Sequence, residues 1–290
     1  MILVTGATGQ FGTAVIESLL ENGTASTQIA ALVRDENKAE DLKGKGIDIR
    51  LGDYNDVPSL EKALQGIDKL LLVSGNDIEG RMQQHINVVE AAKNSGVKHI
   101  VYTSFSRKNE TDSSPIAFVA SSHIGTEKVI RESGIPYTFL LNTLYADMLP
   151  VFFGEQVLDN GIFLPAGEGS AAYTTRKDMA DAAAKVITSE GHEGQSYLIA
   201  NSEKYTLTEA AGYLSELTGK TVNYLNPDAD TYNNSMKEAG VPAEYIGLFS
   251  GFSKAIEQGE FEETGSRLEQ LIGRKPTTLK EYLSTVYGKN

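Results

Sequence analysis

The chain has 290 residues, 40% hydrophobic and 22% charged, with no cysteine. That length holds one large domain or a domain with a smaller lobe, and the lack of thiols excludes disulfides, thiolate nucleophiles and Cys-ligated zinc, as suits a reducing cytoplasm. A formal net charge of −13 disfavours nucleic acid, whose phosphates want a basic surface.

The opening run MILVTGATG is too short for a signal peptide or a membrane span. It reads as a strand at once, so a cytoplasmic location is expected. Short β-rich apolar runs follow at Ile2–Thr5, Gln28–Val33, Asp48–Leu51, Lys69–Val73, His99–Thr103 and Tyr137–Leu141. Between them lie helix-period stretches at Phe11–Asn22, Lys38–Lys45, Ser59–Leu64, Gln83–Ser95 and Ser122–Ser133. Gly23, Gly46, Gly66, Gly96 and Gly134 stand where left-handed helix ends want glycine. Regular strand–helix alternation predicts an α/β fold, a Rossmann-like doubly wound parallel sheet.

After Leu141 the rhythm breaks. Asn142–Thr174 is rich in aromatics and Gly, Arg176–Ser189 reads as a helix and Ser196–Ile199 as a strand. Helices then dominate, with a strand at Val222–Leu225. The expected division is a dinucleotide domain of residues 1–141 plus 175–200, and a smaller, mostly helical lobe of residues 142–174 plus 201–290. The polar run SRKNETDSS, Ser106–Ser114, reads as a mobile loop. The four histidines, His85, His99, His123 and His192, lack metal-ligand spacing.

The segment Gly6-Ala7-Thr8-Gly9-Gln10-Phe11-Gly12 follows the first strand and opens the first helix. In such a loop Gly6 permits the turn, Gly9 admits a pyrophosphate and Gly12 allows close helix–strand packing. Helix N-terminal amides then face the phosphates. An NAD site would carry an acidic residue at the end of the second strand. Arg34 stands there instead and suits a 2′-phosphate, so NADPH is preferred over NADH. A solvated surface arginine is the alternative. Asp53, beside Tyr54, either accepts from the adenine amino group or caps a turn with Asn55. Ser74-Gly75-Asn76 and Thr103-Ser104 end strands at the crevice where ligands bind.

The stretches TGATGQFG, ALVR, GDYND, KLLLVSG, GVKHIVYTS, HIGTEKVIRESGIPYTFLLNTLY and TTRKDMADAAAKVI together resemble the NmrA-like branch of the atypical short-chain dehydrogenase/reductases. Within that branch the likeness is to its NAD(P)H:quinone oxidoreductase type 2 and triphenylmethane reductase group. It continues through EGHEGQSYLIAN, LSELTGKTV and LIGRKPTTL, nearly the whole chain. The resemblance implies dinucleotide phosphates on Gly6–Phe11, the 2′-phosphate on Arg34, and Ser74–Asn76 beside the ribose and nicotinamide. It also brings Asn142, Thr143, Leu144, Tyr145, Ala146, Asp147 and Arg176 to the cofactor. Leu141 stands where the family pattern suggests arginine, so that contact is missing.

The superfamily carries a Tyr-x-x-x-Lys proton donor on the helix after the fifth strand. This chain has His123 and Glu127 there. Three roles remain open for them: an acid and the group that sets its charge, ribose ligands or pocket lining, and an ordinary helix pair. A literal Tyr173-x-x-x-Lys177 occurs later, before the wrong helix, and reads as a decoy.

Reducing an aliphatic ketone makes an alkoxide whose acid has a pKa near water's, about 15.7. A quinone gives a phenolate-type anion whose acid has a pKa of roughly 10, and a cationic triarylmethane accepts hydride with no proton. The missing pair therefore argues for a planar conjugated acceptor and against ketone reduction or sugar-nucleotide epimerisation. Tyr145, Met148, Phe152, Phe153 and Phe163 are expected as an apolar roof, with Tyr245, Phe249 and Phe252 as a wall. Core packing is the alternative for all of these aromatics. The expected protein is an NADPH-dependent reductase, monomer or homodimer, without metal; a non-catalytic NADP(H) redox sensor is the competing class.

Overall fold

The structure is a computed structural model describing residues 1–288; Lys289 and Asn290, which end the expected second lobe, lie outside the described residues. In chain order the first elements are β1 (Ile2–Val4), α1 (Gln10–Glu21), β2 (Ile29–Val33), α2 (Glu40–Gly44), β3 (Asp48–Leu51) and α3 (Val57–Ala63). Next come β4 (Lys69–Leu72), α4 (Arg81–Asn94), β5 (His99–Phe105), α5 (Ala117–Ser133) and β6 (Tyr137–Asn142). The chain continues with α6 (Leu149–Phe153), α7 (Val157–Asn160), β7 (Ile162–Phe163), β8 (Ser170–Ala171), α8 (Arg176–Thr188) and β9 (Gln195–Ile199). It closes with β10 (Tyr205–Thr206), α9 (Leu207–Thr218), β11 (Tyr224–Leu225), α10 (Ala229–Glu238), α11 (Ala243–Glu257), α12 (Arg267–Ile272) and α13 (Leu279–Tyr287).

The chain forms two compact units. The first comprises Met1–Phe105, Phe118–Asn142 and Arg176–Ile199. Its sheet has seven strands in the order β3-β2-β1-β4-β5-β6-β9, and every pair is parallel. This is the expected doubly wound sheet. Leu3, Leu70, Leu72, Ile100, Tyr102 and Phe139 of the strands pack with Leu60, Val88, Val89 and Ile130 of the helices in one buried cluster. Strands buried this completely read as continuous apolar runs, which is why they were visible in the sequence. The five glycines expected to close helices have φ between +73° and +86°.

The order of strands reverses between β1 and β4. Their carboxyl ends therefore part to leave a crevice, the usual ligand position in such sheets.

The fifth helix begins at Ala117, not Ser122. Ser122, the expected first residue, donates its Oγ back to the Val119 carbonyl at 3.0 Å, inside the helix.

The second unit comprises Ser106–Ala117, Thr143–Thr175 and the chain from Ala200. Two capping boxes start its helices: Thr206 with Glu209 at α9, and Thr278 with Glu281 at α13. Its strands are only pairs: β10 antiparallel to β8, and β11 parallel to β7. The polar run expected as a mobile loop is fastened here. The buried Glu260 carboxylate accepts from the amides of Lys108 and Asn109 at 2.8 and 3.0 Å, and Lys108 Nζ reaches Glu262 at 2.8 Å. None of the described helices is long and apolar enough to cross a membrane.

Candidate active site

The glycine loop turns at Gly6, φ +57°. The amide of Gly9 donates to the Gly6 carbonyl at 2.9 Å, and Gly9 occupies the N-cap of α1 without a side chain to block it. A Cβ on Gly12 would stand 2.3 Å from the Gly6 oxygen and 2.9 Å from Ala7 Cα. Gly12 is thus required by the loop itself, which corrects the expected helix–strand role. The first turn of α1 presents its amides at this loop, and the helix dipole adds positive potential. A cradle closed to side chains and rich in amides fits a pyrophosphate.

The neighbouring strand ends line up along the same edge of the sheet. Arg34 follows β2 and is exposed, while Asp35 is occupied in a turn, accepting from the Asn37 amide at 3.0 Å. Asp53 Oδ1 accepts from the Asn55 amide at 2.8 Å and from its side chain at 3.1 Å, the turn-capping alternative. The Tyr54 hydroxyl donates to the Val73 carbonyl at 3.3 Å. Burial pushes this phenol up to about 12, against a Thr5 hydrogen bond and the Arg34 charge.

Past β4, three successive amides each donate to a side chain from a different element. Val73 N–H bonds Thr5 Oγ1 at 2.9 Å, Ser74 N–H bonds Thr103 Oγ1 at 2.9 Å, and Gly75 N–H bonds His85 Nε2 at 3.1 Å. This corner offers a ligand the side chains of Ser74 and Asn76 rather than backbone donors. Thr103, expected as a ligand residue, also bonds the Leu72 carbonyl at 3.4 Å.

On β5, Tyr102 and Ser104 share one face by the two-residue period of a strand. On α5, His123 and Glu127 share one face by helical spacing. The two faces meet. Tyr102 and His123 Nδ1 are 2.7 Å apart, and the Phe105 ring stacks on His123 at 5.7 Å between centroids. Ser104 Oγ donates to Glu127 Oε1, and Arg131 approaches Glu127 Oε2 at 3.4 Å. His123 is 5% exposed and Glu127 4%. His123 and Glu127 each have a partner on β5.

In the second unit, Leu144 and Thr174 pair through backbone: Thr174 N–H donates to the Leu144 carbonyl at 3.0 Å and Ala146 N–H to the Thr174 carbonyl at 2.9 Å. This pins Tyr145 and the half-buried Asp147 and Met148 in a short turn. Thr143 Oγ1, 2% exposed, has no hydrogen-bond partner among the described residues, so a polar ligand group there would relieve it. Phe152 meets Phe249 at 5.0 Å and Phe252 at 6.3 Å, and Tyr245 meets Phe249 at 6.4 Å. Phe153 is core, and Phe163 packs on Tyr232 at 5.9 Å.

Lys177 is committed to Glu21 and Asp181, both at 2.7 Å, in the packing of α8 on α1. Tyr173 is buried, and burial pushes its phenol up. Arg176 opens α8 and is half-buried. A cavity of about 450 Å³ lies at the amino ends of β1 and β4, lined by Met1, Asp68, Lys69 and Ile187. It is at the opposite end of the sheet from the glycine loop. Among the described residues no group of three His, Asp or Glu is arranged to hold a metal.

Sequence reasoning missed Tyr102, Arg81 and His85. A tyrosine in an apolar strand looks like filler. Arg81 and His85, four apart on a helix and both buried, left a signal: polar residues where the period of α4 calls for apolar ones.

Comparison with known proteins agrees with this architecture. The NmrA-like family model matches residues 1–283. Quinone oxidoreductase 2 of Escherichia coli (strain K12) is 40% identical over 291 residues, 100% of each chain. NAD(P)H azoreductase of Xenophilus azovorans is 30% identical over 244 residues, 83% of this chain and 82% of that protein. The structure of Citrobacter sp. triphenylmethane reductase complexed with NADP(H) superposes with a TM-score of 0.90 at 40% identity, over 98% of this chain and 99% of that one. These relatives are named as oxidoreductases, and the last of them is complexed with NADP(H). The chain belongs to the NmrA-like family.

Proposed function

We propose that the protein is an NADPH-dependent oxidoreductase that passes hydride to a quinone or a similar planar conjugated acceptor, with no Tyr/Lys proton relay. The observation that carries this reading is on α5. At the positions of the superfamily's proton donor stand His123 and Glu127, each buried and bonded to β5. The names of the relatives, a quinone oxidoreductase, an azoreductase and a triphenylmethane reductase, support the acceptor class.

The chain's own residues have these roles. Gly6–Gly12 and the start of α1 hold the pyrophosphate, and Arg34 holds the 2′-phosphate by charge-assisted bonds. Ser74, Asn76, Asn142, Thr143 and Arg176 border the ribose and nicotinamide. The bound nicotinamide supplies the hydride. Tyr145, Met148 and Phe152 present flat or adaptable apolar surface to the acceptor, so that catalysis rests on positioning. A quinone oxyanion, with a conjugate acid of pKa roughly 10, takes its proton from water.

The test is NADPH oxidation with a panel of quinones, a triarylmethane dye, an azo dye and an aliphatic ketone. Turnover of the conjugated acceptors and not of the ketone is expected. Efficient ketone reduction would overturn the missing-relay argument. Tight NADPH binding with no turnover above background would favour the redox sensor.

A further inference from the structure

Arg81 and His85 lie one turn apart on α4, 7% and 0% exposed. Together they grip both backbone groups of Gly75. Arg81 Nε donates to the Gly75 carbonyl at 2.7 Å, and the Gly75 amide donates to His85 Nε2 at 3.1 Å. Each side chain then reaches on to α5. Arg81 Nη1 donates to Ser122 Oγ at 3.3 Å, and His85 Nδ1 is 2.9 Å from Thr126 Oγ1. Ser122 precedes His123, and Thr126 precedes Glu127. The result is a ladder of two rungs from one residue of the crevice loop to one face of α5.

Donor and acceptor roles along the ladder are determined. An amide can only donate, so His85 Nε2 accepts, and in a neutral imidazole Nδ1 must carry the proton. Nδ1–H therefore donates to Thr126 Oγ1, whose own hydroxyl donates to the Ser122 carbonyl at 2.7 Å. Burial, aided by the Arg81 charge, holds His85 down at about 3, so the neutral form persists.

Stability alone is a poor reason for this arrangement. Arg81 is the first residue of α4, where the helix dipole disfavours a cation. It forms no ion pair among the described residues, and its bonds go to two neutral oxygens. The Asp77 carboxylate favours its charge without a salt bridge, and a buried cation so weakly matched is costly where apolar residues brace a helix pair more cheaply.

We propose that Arg81 and His85 are positioning residues that couple loop 74–76 to the α5 face carrying His123 and Glu127. A dinucleotide resting on that loop then also sets the register of α5. This inference rests on the NADPH reading above.

The decisive variant is Thr126→Val. It keeps the shape, removes the acceptor of His85 Nδ1–H, and alters no residue assigned to the cofactor. The NADPH Kd, kcat and KM with a quinone, and the melting temperature are measured for this variant, for His85→Phe and for His85→Gln. Thr126→Val is expected to raise the NADPH Kd about three- to tenfold and His85→Phe at least about tenfold, while His85→Gln, an amide that can still accept and donate, stays within about threefold. Nitrogen-15 NMR of His85 should show a neutral ring protonated at Nδ1. A lower melting temperature with an unchanged NADPH Kd in Thr126→Val would reduce the ladder to a brace and overturn the proposal, even if His85→Phe does not fold. A ring protonated at Nε2 would overturn it equally. Failure of the wild-type protein to bind NADPH would instead remove the reading beneath it.

Discussion

The Tyr102 hydroxyl lies 2.7 Å from His123 Nδ1, joining the centre of β5 to α5. Tyr102 is fully buried, so this bond is shielded from water. We propose that a histidine held this way serves packing before proton transfer. We expect His123→Ala to lower quinone turnover less than about tenfold, under about 1.4 kcal/mol of barrier. Steady-state kinetics decide it, and a larger fall would restore His123 as an essential acid. Tyr102→Phe should leave turnover similar and cost about 1–3 kcal/mol of stability, read by denaturant titration, because a buried nitrogen loses its partner.

Arg34 is the proposed ligand of the 2′-phosphate. Arg34→Ala is expected to weaken NADPH by about 1.5–3 kcal/mol, the worth of hydrogen bonds to a charged group, and NADH by much less. Calorimetric titration with both cofactors checks this; equal losses would sink the 2′-phosphate assignment.

Gly12 is the least replaceable residue of the loop. Its Cβ would meet the backbone oxygen of Gly6 at 2.3 Å, and backbone cannot move aside as a flexible side chain does. Gly12→Ala should cost about 1–3 kcal/mol of stability and weaken NADPH at least about tenfold. Gly212→Ala, in open space on α9, is the control and should bind normally.

Stability should fall in acid partly through His85. Burial holds it down to about 3 in the folded chain, below the ordinary histidine value of 6.5, so the unfolded chain binds the extra proton between those limits. Stability is then full above about pH 6.5 and declines towards pH 3, at up to about 1.4 kcal/mol per pH unit. His85→Gln should flatten the slope between pH 4 and 6 in denaturant titrations. An unchanged slope would assign the acid sensitivity to other groups.

Glu260 fastens the polar segment. Glu260→Ala should free the amides of Lys108 and Asn109, cost about 1.5–3 kcal/mol locally, and speed proteolysis within 106–114 about tenfold or more. Limited proteolysis followed by mass spectrometry reads this directly.

Much of the sheet was legible because its strands are buried on both faces and so read as unbroken apolar runs. The glycine loop was legible because its spacing is local. What escaped was set by distant neighbours. Ser106–Ser114 has the composition of a mobile loop, yet a carboxylate some 150 positions later takes two of its amides. The fifth helix, expected from Ser122, begins at Ala117, and the Ser122 hydroxyl turns back into it. Thr5, Thr103 and His85 are ordinary residues until folding brings them to Val73, Ser74 and Gly75. No local pattern encodes that meeting.

Those three occupied amides bear on the heat of binding. A loop that orders itself only around its ligand surrenders conformational entropy on association. Here residues 73–75 are tied to β1, β5 and α4 by the fold itself, and have little motion left to give up. Calorimetry of NADPH binding should therefore show a small entropic penalty from this corner, and the same amides should resist deuterium exchange with or without the nucleotide.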